Sequence, residues 1–175
     1  MINGFLKKRQ GMAKGFTLIE ILVVIGIIAI LAAVVIIAIN PARQFAQARN
    51  STRTANVSAI LNAIGQSIAD NKGQLTGCLA GIPVVATTPA TLTSSVGLKI
   101  SSGGTASDVD LSCLTPTYIP ALPFDPGTGT TAAGSWTSST SYDTKYNVFS
   151  DTSTGGRITV FAPTIELSNQ VSSTR

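Results

Sequence analysis

The chain has 175 residues, room for one globular domain plus an extra element, and its 12 basic and 8 acidic residues leave a formal charge of +4. Four of the basic residues, Lys7, Lys8, Arg9 and Lys14, precede Phe16 with no acid among them, and beyond Gly15 the charges balance eight against eight. The positive balance is therefore a property of the N terminus; it is no nucleic-acid footprint, and nucleic acid is not expected as a partner. The absence of histidine excludes His-based triads, His general bases and His metal ligands. No phosphate-binding loop or dinucleotide fingerprint is present, so neither a cofactor nor an enzymatic activity is expected.

The first element is the apolar run from Phe16 to Ile39, twenty-four residues with Glu20 as the sole ionisable group. As a helix it would measure about 36 Å, enough to cross a hydrocarbon core of about 30 Å. Its many Ile and Val residues would suit a strand in water, but a lone strand in lipid leaves its backbone groups unpaired, which favours helix. A buried core helix seldom runs so long without charge. A secretory signal has a shorter apolar core, although Ala46-Gln47-Ala48 resembles its cleavage site. A plain membrane anchor accounts for everything except Glu20. The basic cluster before the run places the N terminus in the cytoplasm and the rest of the chain outside it. Glu20 is costly in such a segment unless it is paired, and the run holds no basic residue to pair with it. A partner could come from a new α-amino group, released by cleavage just before Phe16.

The hexapeptide Gly15-Phe16-Thr17-Leu18-Ile19-Glu20, between a basic leader and a long apolar helix, resembles the processing motif of type IV pilins and type II secretion pseudopilins. The resemblance covers the leader and the first thirty or so residues after it. It implies cleavage after Gly15 by the prepilin peptidase, which also acts as N-methyltransferase on Phe16. It further implies pairing of Glu20 with the Phe16 amine of a neighbouring subunit. The expected partners are that enzyme, the lipid bilayer before assembly, the inner-membrane assembly machinery, and further copies of the chain in a helical filament. The expected location is the cytoplasmic membrane as a single-pass precursor with the head outside the cytoplasm, then an extracellular pilus or a periplasmic pseudopilus. The residues themselves are consistent with this chemistry. Gly15 has no side chain to obstruct a protease cleft, and the cut supplies the positive charge that Glu20 lacks. Glu20 then acts as a register pin, a known use of a single polar group in helical assemblies. Met12 offers an alternative start with a four-residue leader.

Asn40-Pro41 interrupts the helix, since proline removes a backbone donor and crowds the preceding turn; a kink or local break is expected there. An amphipathic pattern follows: Val57, Ile60, Leu61, Ile64 and Ile68 fall on one stripe. Arg43, Arg49 and Arg53 are expected on a solvated face, with lipid headgroup contact as the alternative for Arg43. Gly73 is a candidate C′ residue, which gives a helix from Phe16 to about Asn71, about 84 Å long. The organisation expected is a leader at 1–15, a transmembrane and filament-core helix at 16–40, an amphipathic helix at 41–73 and a head at 74–175.

The head is rich in Gly, Pro, Ser and Thr. Ile82-Pro83-Val84-Val85 reads as a short extended piece, residues 111–120 as one helical turn followed by extended chain, and 127–141 as a loop. Lys145–Phe149 and Arg157–Ala162 read as a hairpin connected through 151–156. Such a hairpin is marginal alone and needs the amphipathic stripe to pack on. The expectation is an α+β fold: a long N-terminal helix packed on a small antiparallel sheet, the architecture the resemblance also implies. Leu122-Pro123-Phe124-Asp125-Pro126, then Tyr142 and Tyr146, then a final strand, resemble the major-pseudopilin subgroup. Cys78 and Cys113, both beyond the span, would form a disulfide in an exported head; two buried free thiols are the alternative. Some relatives of that subgroup bind calcium here. Asp125, Asp143 and Asp151 lack a diagnostic spacing, so solvated turns are expected in place of a metal site. The acceptor patterns Asn50-Ser51-Thr52 and Asn56-Val57-Ser58 fall in the expected helix.

Overall fold

A computed structural model describes residues 15–85, 92–93, 95–128, 130–151 and 155–175. The basic cluster at Lys7, Lys8, Arg9 and Lys14, and part of the expected 151–156 connection, lie outside the described residues. The chain divides into two units at the Pro41–Ala42 peptide.

In the first unit, helix α1 spans Leu18–Ala38, and none of its residues is buried within the chain. Among the described residues it is the helix long and apolar enough to cross a membrane. It ends as sequence dictates: Ile39 leaves the helical region with φ −98° and ψ 112°, and Asn40 stands before a proline, where the helical conformation is disfavoured. Helix α2, Pro41–Asp70, then starts on the proline itself, whose missing N–H costs nothing at a first helical position. The interruption is thus a break between two helices.

The second unit carries the core. Val57, Ile60, Leu61 and Ile64 are at most 2% exposed, and half-buried Ile68 completes the stripe. The helix closes with a pair of bonds, from the Gly73 N–H to the Ile68 carbonyl and from the Lys72 N–H to Ala69. That pattern makes Lys72, at φ +57°, the left-handed C′ residue and moves Gly73 one place further out, correcting the expected cap.

The strands are β1 (Val84–Val85), β2 (Leu98–Ser101), β3 (Asp108–Val109), β4 (Ser135–Ser138), β5 (Ser141–Asp151), β6 (Arg157–Glu166) and β7 (Asn169–Thr174). Sheet order is β3-β2-β5-β6-β7, with β1 and β4 also pairing to β5. The expected hairpin is present as β5–β6, longer than its apolar residues suggested. The sheet is mixed, because β1 runs parallel to β5 and β3 parallel to β2. The segment read as a loop contains β4, which is held by backbone pairing to β5 and by Trp136 against Tyr142, with ring centroids 5.1 Å apart. A short 3-10 turn at Ser112–Leu114 stands where one helical turn was expected.

Strand alternation sorts the sheet's two faces. Tyr146 and Val148 of β5, Ile158, Val160 and Ala162 of β6 and Val171 of β7 join the α2 stripe in one core. Phe149 and Phe161 face the other way and pack edge-on, with Leu92 beside them. Cys78 and Cys113 form a disulfide with Cα atoms 6.0 Å apart, tying the 3-10 turn at Gly77–Gly81 to that at Ser112–Leu114.

Candidate functional site

The processing segment lies immediately before α1. Gly15, Phe16 and Thr17 are exposed and outside the helix, and a Cβ placed on Gly15 would meet nothing within 4 Å. The Gly15–Phe16 peptide is therefore an accessible non-helical bond. Thr17 is the N-cap, with extended backbone at φ −79° and ψ 151°. Its Oγ1 accepts a hydrogen bond from the Glu20 N–H at 3.3 Å, while the Thr17 N–H donates to Glu20 Oε2 at 3.4 Å. This reciprocal capping box satisfies two of the donors that every helix N terminus leaves open.

Glu20 thus has a partner inside its own chain, a backbone N–H in place of a basic side chain. The signal was legible as Thr-x-x-Glu ahead of an apolar run. The Thr17 N–H is a neutral donor at long range and leaves Oε1 of an exposed carboxylate for another donor. The same acid can cap α1 and still face a cation outside it. Around it the helix surface is uncovered: Phe16 is 78% exposed and Leu18 82%. Of the other expected site residues, Asn40 and Pro41 occupy the break between the helices, and Cys78 and Cys113 stand apart from the processing segment within the head.

A second polar constellation, in the head, corrects the expectation for the arginines. Arg53 is fully buried, not solvated. Its Nε and Nη2 donate to Asp125 Oδ2 and Oδ1 at 2.8 and 3.1 Å, and its Nη1 donates to Asn50 Oδ1 at 2.9 Å and to Glu166 Oε2 at 2.5 Å. Arg49 also reaches Glu166, through Nη2 at 2.5 Å and Nε at 2.9 Å. The Asn50 amide donates to the Glu166 carbonyl. One turn of α2 thereby clamps both the Leu122–Gly127 loop and the end of β6. Hydrogen bonds from Arg49 and then Arg53 hold the Glu166 carboxyl down to about 2. Burial opposes the Arg53 charge, but the bonds to Asp125 and Glu166 outweigh it and raise its pKa.

Asp125 is likewise buried, so its expected place in a solvated turn is corrected. It takes the Gly127 N–H on Oδ1 at 2.6 Å. Gly127 has φ +71°, and a Cβ there would lie 2.6 Å from the Ala133 nitrogen, so the turn admits only glycine. Asp151 is buried too, and half-buried Asp143 pairs with Lys99 and Lys145. Among the described residues no cluster of acids, cysteines or histidines is arranged to hold a metal ion. The Asn56 amide donates to the Phe124 carbonyl and to the Tyr146 hydroxyl, so both acceptor-pattern asparagines are engaged in packing the head. Burial pushes the Tyr146 hydroxyl up to about 12. No spacing in the sequence announced the arginine–carboxylate pairings, which join residues 72 to 117 positions apart.

Residues 11–36 match the family model described as the prokaryotic N-terminal methylation motif, the prepilin cleavage motif of type IV pilins and pseudopilins. The match covers the processing segment and most of α1, and the head lies outside it. No curated protein matches the chain. No solved structure matches it either.

Proposed function

We propose that this chain, which carries the prepilin processing motif ahead of a membrane-length helix, is a structural subunit of a type IV pilus-like filament. The observation that carries the reading is the junction itself. An exposed, non-helical Gly15–Phe16 bond leads directly into a capped helix with no buried residue, so α1 is complete only in lipid or against other copies. In this reading residues 1–15 are the leader, 16–40 the filament-core helix, 41–73 the amphipathic helix and 74–175 the head.

Cleavage after Gly15 removes the basic leader that holds the N terminus in the cytoplasm. It also creates the Phe16 ammonium. Leaving the bilayer then exchanges lipid contacts for burial against neighbouring α1 helices. Glu20 receives the Phe16 amine of a neighbour in place of water, which fixes the register of the stack. Contacts of this head-to-tail kind do not close on themselves and so generate open filaments. The inner-membrane assembly machinery supplies the work of extraction.

A second reading, a type II secretion pseudopilin, is favoured by one observation. Leu122–Pro126, which resembles the major-pseudopilin subgroup, is the loop that Arg53 clamps through buried Asp125. Surface filaments released by shearing support the pilus; a secretion defect without visible filaments supports the pseudopilus. The shared premise is tested by mass spectrometry of the protein made together with a prepilin peptidase. The expected N terminus is Phe16 carrying one added methyl group. An intact leader would leave a plain membrane anchor and overturn both readings.

A further inference from the structure

The sheet face turned away from α2 is finished differently at its two ends. At one end Phe149 and Phe161 pack edge-on with Leu92 beside them. At the other, Lys99 of β2, Asp108 of β3, Lys145 of β5 and Pro163 of β6 line a cleft of about 410 Å³. Lys99 and Pro163 alternate with the core residues Ile100 and Ala162, which sets the cleft on the outer face. Its volume is in the range of small-molecule sites. Every residue that lines it belongs to the head.

Strand β5 is irregular where Lys145 enters the cleft. From the Lys99–Asn147 pair to the Ser101–Asp143 pair, β2 advances two residues and β5 four. The surplus is a bulge, a device that re-aims a side chain. Within it Lys145 has φ +62°, a left-handed conformation unfavourable for a residue with a Cβ. Side chains satisfy the bulged backbone: the Lys145 N–H donates to Asp143 Oδ1 at 3.1 Å and the Tyr146 N–H to Thr144 Oγ1 at 3.2 Å. Backbone strain held in this way concentrates at ligand-binding positions. Asp143 Oδ2 then receives both ammoniums, Lys145 at 2.7 Å and Lys99 at 3.3 Å. Lys99 Nζ also stands 3.6 Å from Asp108 Oδ1.

These pairings decide the chemistry of a ligand. Two lysines meet two aspartates, so the cleft has no net charge with which to hold an anion. The ammoniums already occupy the approach of a cation to either carboxylate. An ammonium has three donors, and the Lys145 side chain, which gives one to the Asp143 carboxylate, is still 38% exposed. Thr105, Ser107, Thr131 and Thr164 add hydroxyls to the lining, and each both donates and accepts. A neutral molecule dense in hydroxyl groups answers all of these. The Pro163 ring and the lysine stems offer apolar surface to the C–H face of a sugar ring.

We propose that this cleft binds a neutral saccharide, with the Lys99 and Lys145 ammoniums donating to its hydroxyl oxygens and Asp143 holding both lysines in place. The site is contained in the head, so it stands apart from the filament reading and does not depend on it.

The test uses the full chain with its disulfide intact, in a zwitterionic detergent, since a glycoside headgroup would itself compete. The protein is applied to an array of neutral oligosaccharides that also carries sialylated and sulfated ones. The expected result is retention of neutral members, weakened about tenfold or more by Lys99→Gln combined with Lys145→Asn. Asparagine accepts left-handed backbone, and an unchanged unfolding transition of the head checks that the fold is kept. A second readout needs no substitution: the retained oligosaccharide should slow reductive methylation of Lys99 and Lys145 in the parent protein and leave exposed Lys72 unaffected. No retention down to millimolar affinity would overturn the site. So would retention unchanged in the double variant, or methylation of Lys99 and Lys145 as fast with the oligosaccharide as without it. Retention confined to sialylated or sulfated members and lost on adding salt would make the cleft an anion site and reject the neutral ligand.

Discussion

Glu20 and Glu166 are both carboxylates at the ends of secondary-structure elements, but the two parts of the molecule treat them differently. Glu166 receives two arginines, and its backbone carbonyl takes the Asn50 amide. Glu20 receives one backbone N–H at 3.4 Å, on a helix with nothing buried. The head pairs its buried Arg53 and Asp125 internally, as a domain that must be stable in water does. The N-terminal helix leaves both its apolar surface and most of its carboxylate's capacity unfilled, as a segment completed by lipid or by other chains does. Stability should therefore be read from the head, and assembly from the helix.

The largest expected effect separates the two. Glu20→Ala should be processed normally and leave the head's unfolding transition unchanged, while the yield of sheared filaments falls by more than about tenfold, since a lost buried pair is repeated at every subunit of a polymer. Normal filaments from this variant would end the pairing account. Arg53→Ala should do the reverse within the head. It leaves Asp125 buried without its cation, at a cost of about 3–5 kcal/mol measured by denaturant unfolding. A loss below about 1 kcal/mol would mean that the clamp is not what holds the loop to α2. Cys78→Ser with Cys113→Ser should lower stability by about 2–4 kcal/mol, mainly by freeing the unfolded chain across the 35-residue separation. An unchanged midpoint would show that the two 3-10 turns hold together without it.

The smallest effect is on pH dependence. The folded pKa of Glu166 is depressed to about 2 from a model-peptide 4.5, so its contribution is complete above 4.5 and is lost as pH falls through about 2. Asp108, Asp110 and Asp143 are depressed in the same direction. Head stability should therefore decline on acidification through this window. Glu166→Gln should show a shallower decline, and identical slopes for parent and variant would remove Glu166 from the acid response.

How much could be read beforehand differs between the regions for the same reason. Everything that matters in α1 is local: an apolar run, a proline after Asn40, and Thr17 three residues before Glu20. The capping box is local too, since the Thr17 and Glu20 side chains answer the backbone donors that a helix start leaves open. In the head, the α2 stripe and the β5–β6 hairpin were legible by periodicity. Strand β7 was not, since Asn169–Thr174 has Val171 as its one apolar residue and is a strand because β6 offers it an edge. Arg53 illustrates the same limit. In sequence it matched Arg49, four residues away, but folding buried one completely and left the other partly exposed.

Sequence by itself determined the helix long enough for a bilayer, its break at Pro41, the processing motif and the buried face of α2, because each depends on residues within a few turns of one another. Only the tertiary structure decided which arginine became a buried clamp, which aspartate it met, and how polar segments joined a mixed sheet. Those outcomes depend on pairings across many tens of residues, where spacing carries no information and the cost of burying a charge is settled only by which partner the fold brings to it.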